Sequence, residues 1–251
     1  MGEYLSFQDR VVAVTGGSRG IGAAVVRELA SLGAQVVFSW SSSKEKADAL
    51  AAELTAQGYR VRAMQCDVTK NDSVKEFFAS IAKTEGKLDG LVTAAGTIVR
   101  IPLALTKPEQ FSEQFNVHVL GTTHCISAAV RLMTPHRYGR IVAISSVASL
   151  RGYGNRAAYA AAKAGVNAVV KSSARELAGL GITVNAVLPG FTDTDMTSDI
   201  VGEKRDKASA QVPVGRFARP EEIAYAVVAL LHERASYLNG ALVQVDGGLA
   251  M

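Results

Sequence analysis

Cysteine, proline and tryptophan are scarce in this sequence, with two, six and one residue among 251. Two cysteines, Cys66 and Cys125, are too few for a secreted disulfide scaffold, and neither has a CxxC partner. Both are expected to be small buried hydrophobes in a reducing compartment. Few prolines, with 48% hydrophobic and 20% charged residues, exclude the disordered, collagen-like and low-complexity classes. The N-terminus, MGEYLSFQDRVVAVTGG, has acids and no basic segment before a short apolar run that ends in glycines, so it reads neither as a signal peptide nor as a membrane span. A cytoplasmic protein with no membrane partner is the expectation. A block of one charge is also missing: 27 Lys and Arg are scattered among 23 Asp and Glu, for a net charge of +4. That scatter argues against a nucleic-acid partner and leaves room for a local basic group that steers a phosphorylated ligand.

What is present is a regular beat of apolar runs and helical stretches. Strands are predicted at 10–16, 34–40, 59–65, 88–94, 139–146, 181–188 and 241–245, and the first, RVVAVTG, has the unbroken Val and Ala content of a strand buried on both faces. From Ile21, the residues Val25, Leu29 and Leu32 recur at helical spacing, and Gly33 closes that helix. Further helices are predicted at about 44–57, 71–85, 106–134, 156–180 and 220–234. Seven strands separated by helices imply an α/β fold, a mostly parallel sheet covered by helices on both faces, because parallel neighbours need crossover connections. No linker, composition shift or repeat divides the chain, so 1–251 reads as one domain. The polar segment at about 191–219 breaks the beat after a strand end and is a candidate substrate lid.

Chemistry-bearing residues cluster at strand ends. Thr15-Gly16-Gly17-Ser18-Arg19-Gly20-Ile21-Gly22 joins the first strand to a helix, where glycines permit a tight turn and close approach of a pyrophosphate to amide donors at a helix start. Ser146 follows the fifth strand, and Tyr159 and Lys163 lie four apart on the next helix, so they share a face. An ammonium beside a phenol is expected to favour its ionised form, and Ser146 can hydrogen-bond a substrate oxygen that gains charge. Ser145 is the competing serine. The second strand ends Ser39-Trp40-Ser41-Ser42-Ser43-Lys44 with no carboxylate for ribose hydroxyls, whereas Arg19 with Ser41 or Ser42 suits a 2′-phosphate.

The GxxxGxG spacing, Ser146 and Tyr159-Ala-Ala-Ala-Lys163 together resemble the short-chain dehydrogenase/reductase family, and the resemblance covers nearly the whole chain. GITVNAVLPGFTDTDMT, QVPVGR and VDGG are particularly similar to its bacterial 3-oxoacyl-(acyl-carrier-protein) reductase branch. The resemblance implies a Rossmann-type doubly wound sheet and an oxidoreductase that moves a hydride between NADPH and a carbonyl, most simply a 3-oxoacyl thioester of fatty acid biosynthesis. It implies Ser146, Tyr159 and Lys163 as catalytic residues, and a cofactor held by Thr15, Gly16, Ser18, Arg19, Gly20, Ile21, Gly22, Ser41, Asp67, Val68, Ala95, Gly96, Tyr159, Lys163, Pro189, Gly190, Thr192 and Thr194. Asp67 would bind the adenine amine. No metal is implied. A homotetramer and an acyl carrier protein near Arg137 follow from the same likeness, although Leu180 stands where a second arginine is expected.

Two departures accompany it. The family's NNAG is Thr93-Ala94-Ala95-Gly96 here, and alignment on Gly121 puts His118 where a catalytic asparagine belongs, with Asn116 on another helical face. His118 is therefore expected to join the proton relay, adding an ionisation in the acidic-to-neutral range. Other readings are a dehydrogenase of another small alcohol, sugar or polycyclic substrate, and a weakly catalytic subunit of a hetero-oligomer.

Overall fold

A computed structural model describes residues 5–251. Its seven strands are β1 (Val11–Thr15), β2 (Gln35–Trp40), β3 (Val61–Gln65), β4 (Gly90–Thr93), β5 (Gly139–Ile144), β6 (Ile182–Pro189) and β7 (Leu242–Val245). They form one sheet in the order β3-β2-β1-β4-β5-β6-β7, and every neighbouring pair is parallel. The expected α/β architecture is present, and the sheet is parallel throughout. β1, β4, β5 and β6 are buried along their whole length, which is why they read as unbroken apolar runs.

Nine α-helices accompany the sheet among the described residues: α1 (Gly20–Ser31), α2 (Lys44–Ala56), α3 (Asn71–Thr84), α4 (Pro108–Phe115), α5 (Gly121–Met133), α6 (Ala148–Arg151), α7 (Ala157–Leu177), α8 (Glu203–Ser209) and α9 (Pro220–Leu231). One core packs Phe77, Ile81, Met133, Val166 and Val170 of α3, α5 and α7 against the sheet. A second packs Val25, Leu29, Ile223 and Val227 of α1 and α9 against the other face. Cys66 and Cys125 are buried and unpaired in the first core, as expected. Burial raises both thiols, Cys66 to about 11.

Two stretches differ from the periodicity. The helix predicted over 106–134 is divided by a wide π turn, Asn116–Leu120, across which the Gly121 amide donates to the Asn116 carbonyl. A π turn carries one more residue than an α turn, so it rotates the face that follows, and hydrophobic spacing does not encode it. The segment 191–219 leaves the sheet edge and returns, its base tied by the Ala218 and Asp193 amides to the Phe191 and Ala218 carbonyls. It carries a 3₁₀ turn, Asp195–Thr197, and α8. Among the described residues no helix is long and apolar enough to cross a membrane, and no cluster of His, Cys, Asp or Glu could hold a metal ion.

Candidate active site

The chain leaves β1 for β2 and β3, then returns to β4 on the other side of β1, which opens a crevice beyond the carboxyl ends of the strands. The glycine loop, α7 and the 191–219 segment all border that cleft. Gly16 has φ +66°, and a Cβ there would lie 2.7 Å from the Ala95 backbone. Gly20 has φ +54°, and its Cβ would project to 3.3 Å from the Thr194 methyl. Side chains at either position would strain the backbone and narrow the cradle in front of α1.

All the sequence-predicted cofactor residues except Thr15 line this cleft. Thr15 is fully buried at the end of β1, where its carbonyl accepts the Ala94 amide; it supports the loop from below. Asp67 accepts the Thr69 amide at 3.1 Å and the Thr69 hydroxyl at 2.7 Å, which hold its carboxyl below the usual range.

At the end of β5 the two serines separate. Ser145 is buried, and its hydroxyl donates to Asn167 Oδ1 at 2.7 Å. Ser146 borders the cleft and is only partly buried; its hydroxyl accepts the Ala148 amide at 3.1 Å and acts to lower the Tyr159 phenol. Tyr159 and Lys163 rise from α7 beside it, and Lys163 Nζ donates to the Ile144 carbonyl at 2.7 Å. The expected effect of Lys163 on the phenol is not what the site shows. Burial pushes Tyr159 above its ordinary value of 10.0, while Ser146, Arg156 and Arg100 pull it back. Lys163 is itself brought down to about 7 by burial.

The π turn sets which side chain of Asn116 and His118 faces inward. His118 is turned inward at 1% exposure, while Asn116 faces solvent. His118 Nε2 lies 2.8 Å from the Thr97 carbonyl, which places the proton on Nε2 and leaves Nδ1 a buried acceptor without a partner. The ring stands edge-on to Tyr159, centroids 5.4 Å apart. Burial, then the charge of Lys163, hold the imidazole well below 6.5, against the pull of the Thr97 carbonyl. The ionisation expected of this ring in the acidic-to-neutral range is accordingly displaced to lower pH.

Several cleft residues escaped the sequence reading. Lys46 Nζ lies 2.6 Å and Arg19 Nη1 3.5 Å from Asp195, so the carboxylate missing from the end of β2 arrives from the distant segment and joins two cations. Arg100 and Arg156 also line the cleft. Arg156 was detectable in principle, because it stands one helical turn before Tyr159. Arg137 lies just before β5, at the amino edge of the sheet, where it donates to the Gly179 carbonyl at 2.8 Å; it does not line this cleft.

Residues 16–250 match a family model described as enoyl-(acyl carrier protein) reductase. The chain is 37% identical over 238 residues to a 3-oxoacyl-[acyl-carrier-protein] reductase FabG of Staphylococcus epidermidis, covering 95% of this chain and 98% of that one. It is 38% identical over 247 residues to the FabG of Escherichia coli strain K12, covering 98% and 100%. Among solved structures, a dehydrogenase/reductase from Sinorhizobium meliloti 1021 superposes with a TM-score of 0.94 at 33% identity, over 100% of this chain and 99% of that one. A short-chain dehydrogenase/reductase from Serratia marcescens superposes with a TM-score of 0.92 at 34% identity, over 98% and 99%. With the parallel sheet, the glycine cradle and the Ser146, Tyr159 and Lys163 group in one cleft, these likenesses establish that the chain belongs to the short-chain dehydrogenase/reductase family of oxidoreductases.

Proposed function

We propose that this protein is a cytoplasmic, NADPH-dependent carbonyl reductase, with a 3-oxoacyl thioester as the substrate its curated relatives favour. The observation that carries the reading is that the hydroxyls of Ser146 and Tyr159, which act on each other electrostatically, border the same cleft as the glycine cradle. Two hydroxyls converging on one oxygen suit a carbonyl, whose oxygen gains charge, better than a carbon–carbon double bond.

The residues present fit the dinucleotide. Gly16 and Gly20 leave the cradle open for a pyrophosphate in front of α1. Asp67 and Val68 suit the adenine, Ser41 with Arg19 and Lys46 a 2′-phosphate, and Ala95, Gly96, Pro189, Gly190, Thr192 and Thr194 the rest of the cofactor. When bound, NADPH supplies the hydride that the carbonyl carbon accepts. Tyr159 gives its proton to the carbonyl oxygen, and Ser146 donates a hydrogen bond to that oxygen. A phenol kept above its ordinary value by burial is held protonated for that step. Lys163, beneath it, would hold ribose hydroxyls, and the free Nδ1 acceptor of His118 would hold a water through which Tyr159 regains its proton. The 191–219 segment serves as the lid.

A place in fatty acid biosynthesis and a homotetramer built on the α4–α5 and α7 helices are supported by the likeness to FabG and by the exposed Phe115 and Leu120. A carrier protein near Arg137 is the weaker part, since that residue stands at the sheet edge away from the cleft. The intact Ser146, Tyr159 and Lys163 argue against a subunit that has retired from catalysis. Tyr159→Phe tests the reading. NADPH oxidation with a panel of acyl thioesters and simple ketones is expected to vanish in the variant, with the Kd for NADPH within a few-fold of the parent; activity near the parent's rejects the assignment.

A further inference from the structure

Two guanidinium groups stand in the cleft without a task in the chemistry above. Arg100 lies on the loop after β4, and Arg156 immediately precedes α7. Their charges reach the reacting hydroxyl, because both pull on Tyr159. Arg100 also acts on Arg156. Burial is the first cause that lowers Arg156 from 12.5, and the like charge of Arg100 is the second.

Neither guanidinium is fully satisfied. The Arg156 side chain has no hydrogen bond or ion pair among the described residues; it lies over the Tyr153 ring at 5.2 Å and the Phe191 ring at 6.0 Å. Arg100 Nη1 reaches Asp199 at 3.2 Å and Nη2 donates to the Met196 carbonyl, yet its Nε is buried with no partner. Asp199 is the one carboxylate whose field supports Arg156, and its side chain is 59% exposed. Arg151, on the far side of this group, stacks over Tyr153 and donates to the Leu249 carbonyl. Positive charge therefore exceeds negative beside the reacting hydroxyl. A planar anion with two oxygens would relieve that repulsion and match the guanidinium fork, and rings that hold Arg156 in place lessen the entropy lost on binding.

We propose that the substrate carries a carboxylate near its carbonyl, bound by Arg156 and Arg100. This rests on the reading that a carbonyl is reduced in this cleft, and it narrows the substrate to anionic oxo compounds. Two sources present that chemistry: a free oxo acid, and an acyl thioester whose chain ends in a carboxylate.

The experiment uses matched pairs. 3-Oxobutanoate is compared with its methyl ester, and the 3-oxoglutaryl thioester of N-acetylcysteamine with the acetoacetyl thioester, each by kcat/KM with NADPH. In parallel, calorimetry measures binding of 3-hydroxybutanoate and its methyl ester to protein saturated with NADPH, a readout that needs no turnover. The anionic member of at least one pair is expected to be favoured by about tenfold or more, and the pair that shows the preference identifies the source. Arg156→Gln is expected to remove most of that ratio, chiefly through KM, and Arg156→Lys to restore part of it. Packing on Tyr153 and Phe191 alone would not make the two variants differ by substrate charge. Neutral members preferred in the wild type, or a ratio unchanged in Arg156→Gln, overturn the proposal while leaving carbonyl reduction standing. If none of the four is reduced, tighter binding of the hydroxy acid than of its ester upholds the anion site against the reductase reading, and equal binding overturns it.

Discussion

Tyr159, Lys163 and His118 show how burial reverses expectations drawn from spacing. Four residues on a helix bring an ammonium to a phenol, but burial penalises the charged form of each group more than the neighbour rewards it. Lys163 has a folded value of about 7 against 10.5 when free, so between those limits the unfolded chain binds more protons and stability rises with pH. The cost is fully present below about pH 7, and carried over in full the difference corresponds to about 5 kcal/mol. Lys163→Met, which also leaves the Ile144 carbonyl without its donor, is expected to stabilise the cofactor-free chain at pH 7 by on the order of 2–4 kcal/mol in urea unfolding. The gap should shrink toward pH 10; a variant less stable at pH 7, or a gap that ignores pH, contradicts this. His118 is held well below 6.5 by burial and Lys163. His118→Asn is therefore expected to stay active, with a pH–rate profile that overlays the wild type at neutral and alkaline pH. His118→Phe, which offers no acceptor, should lose on the order of tenfold in kcat. Equal rates in the two variants would make the histidine a packing residue only.

At the scale of elements, cofactor choice is written across three of them. β2 ends without a carboxylate, the glycine loop contributes Arg19, and α2 contributes Lys46. The 191–219 segment sends Asp195 between those two cations. All three side chains are substantially exposed, so the ion pairs themselves add little stability, and a 2′-phosphate with more acceptors can displace the carboxylate. Arg19→Ala and Lys46→Ala are each expected to lower the ratio of NADPH to NADH affinity by about tenfold, corresponding to ~1.5 kcal/mol per charge-assisted contact. Titration by fluorescence of each reduced cofactor measures it, and equal Kd values for NADPH and NADH in the wild type would refute the preference. The π turn between α4 and α5 has a comparable role for the relay: it turns His118 in and Asn116 out.

For the whole molecule, the parallel sheet places every loop that follows a strand at one edge, and the site collects there. Residues as far apart as Gly16, Tyr159 and Thr194 meet because crossovers on both sides of β1 open a crevice at the point where strand order reverses. The scattered charge of the chain becomes local only in this arrangement. Arg19 and Lys46 gather at one end of the cleft, and Arg100 and Arg156 gather beside Tyr159.

Strand burial, the seven-fold beat, the glycine cradle and the Ser146, Tyr159 and Lys163 group were legible in the sequence, because periodicity and short-range spacing record which faces are buried and which residues share a helix turn. The spacing to Tyr159 pointed to Ser146 over Ser145, and the fold adds that Ser145 donates to Asn167. Charge state, the tautomer of His118, the inward turn at Asn116–Leu120, and the approach of Asp195, Arg100 and Arg156 were decided by tertiary structure alone. Those properties depend on dehydration and on distances between segments remote in the chain, and neither quantity has a signature in local order.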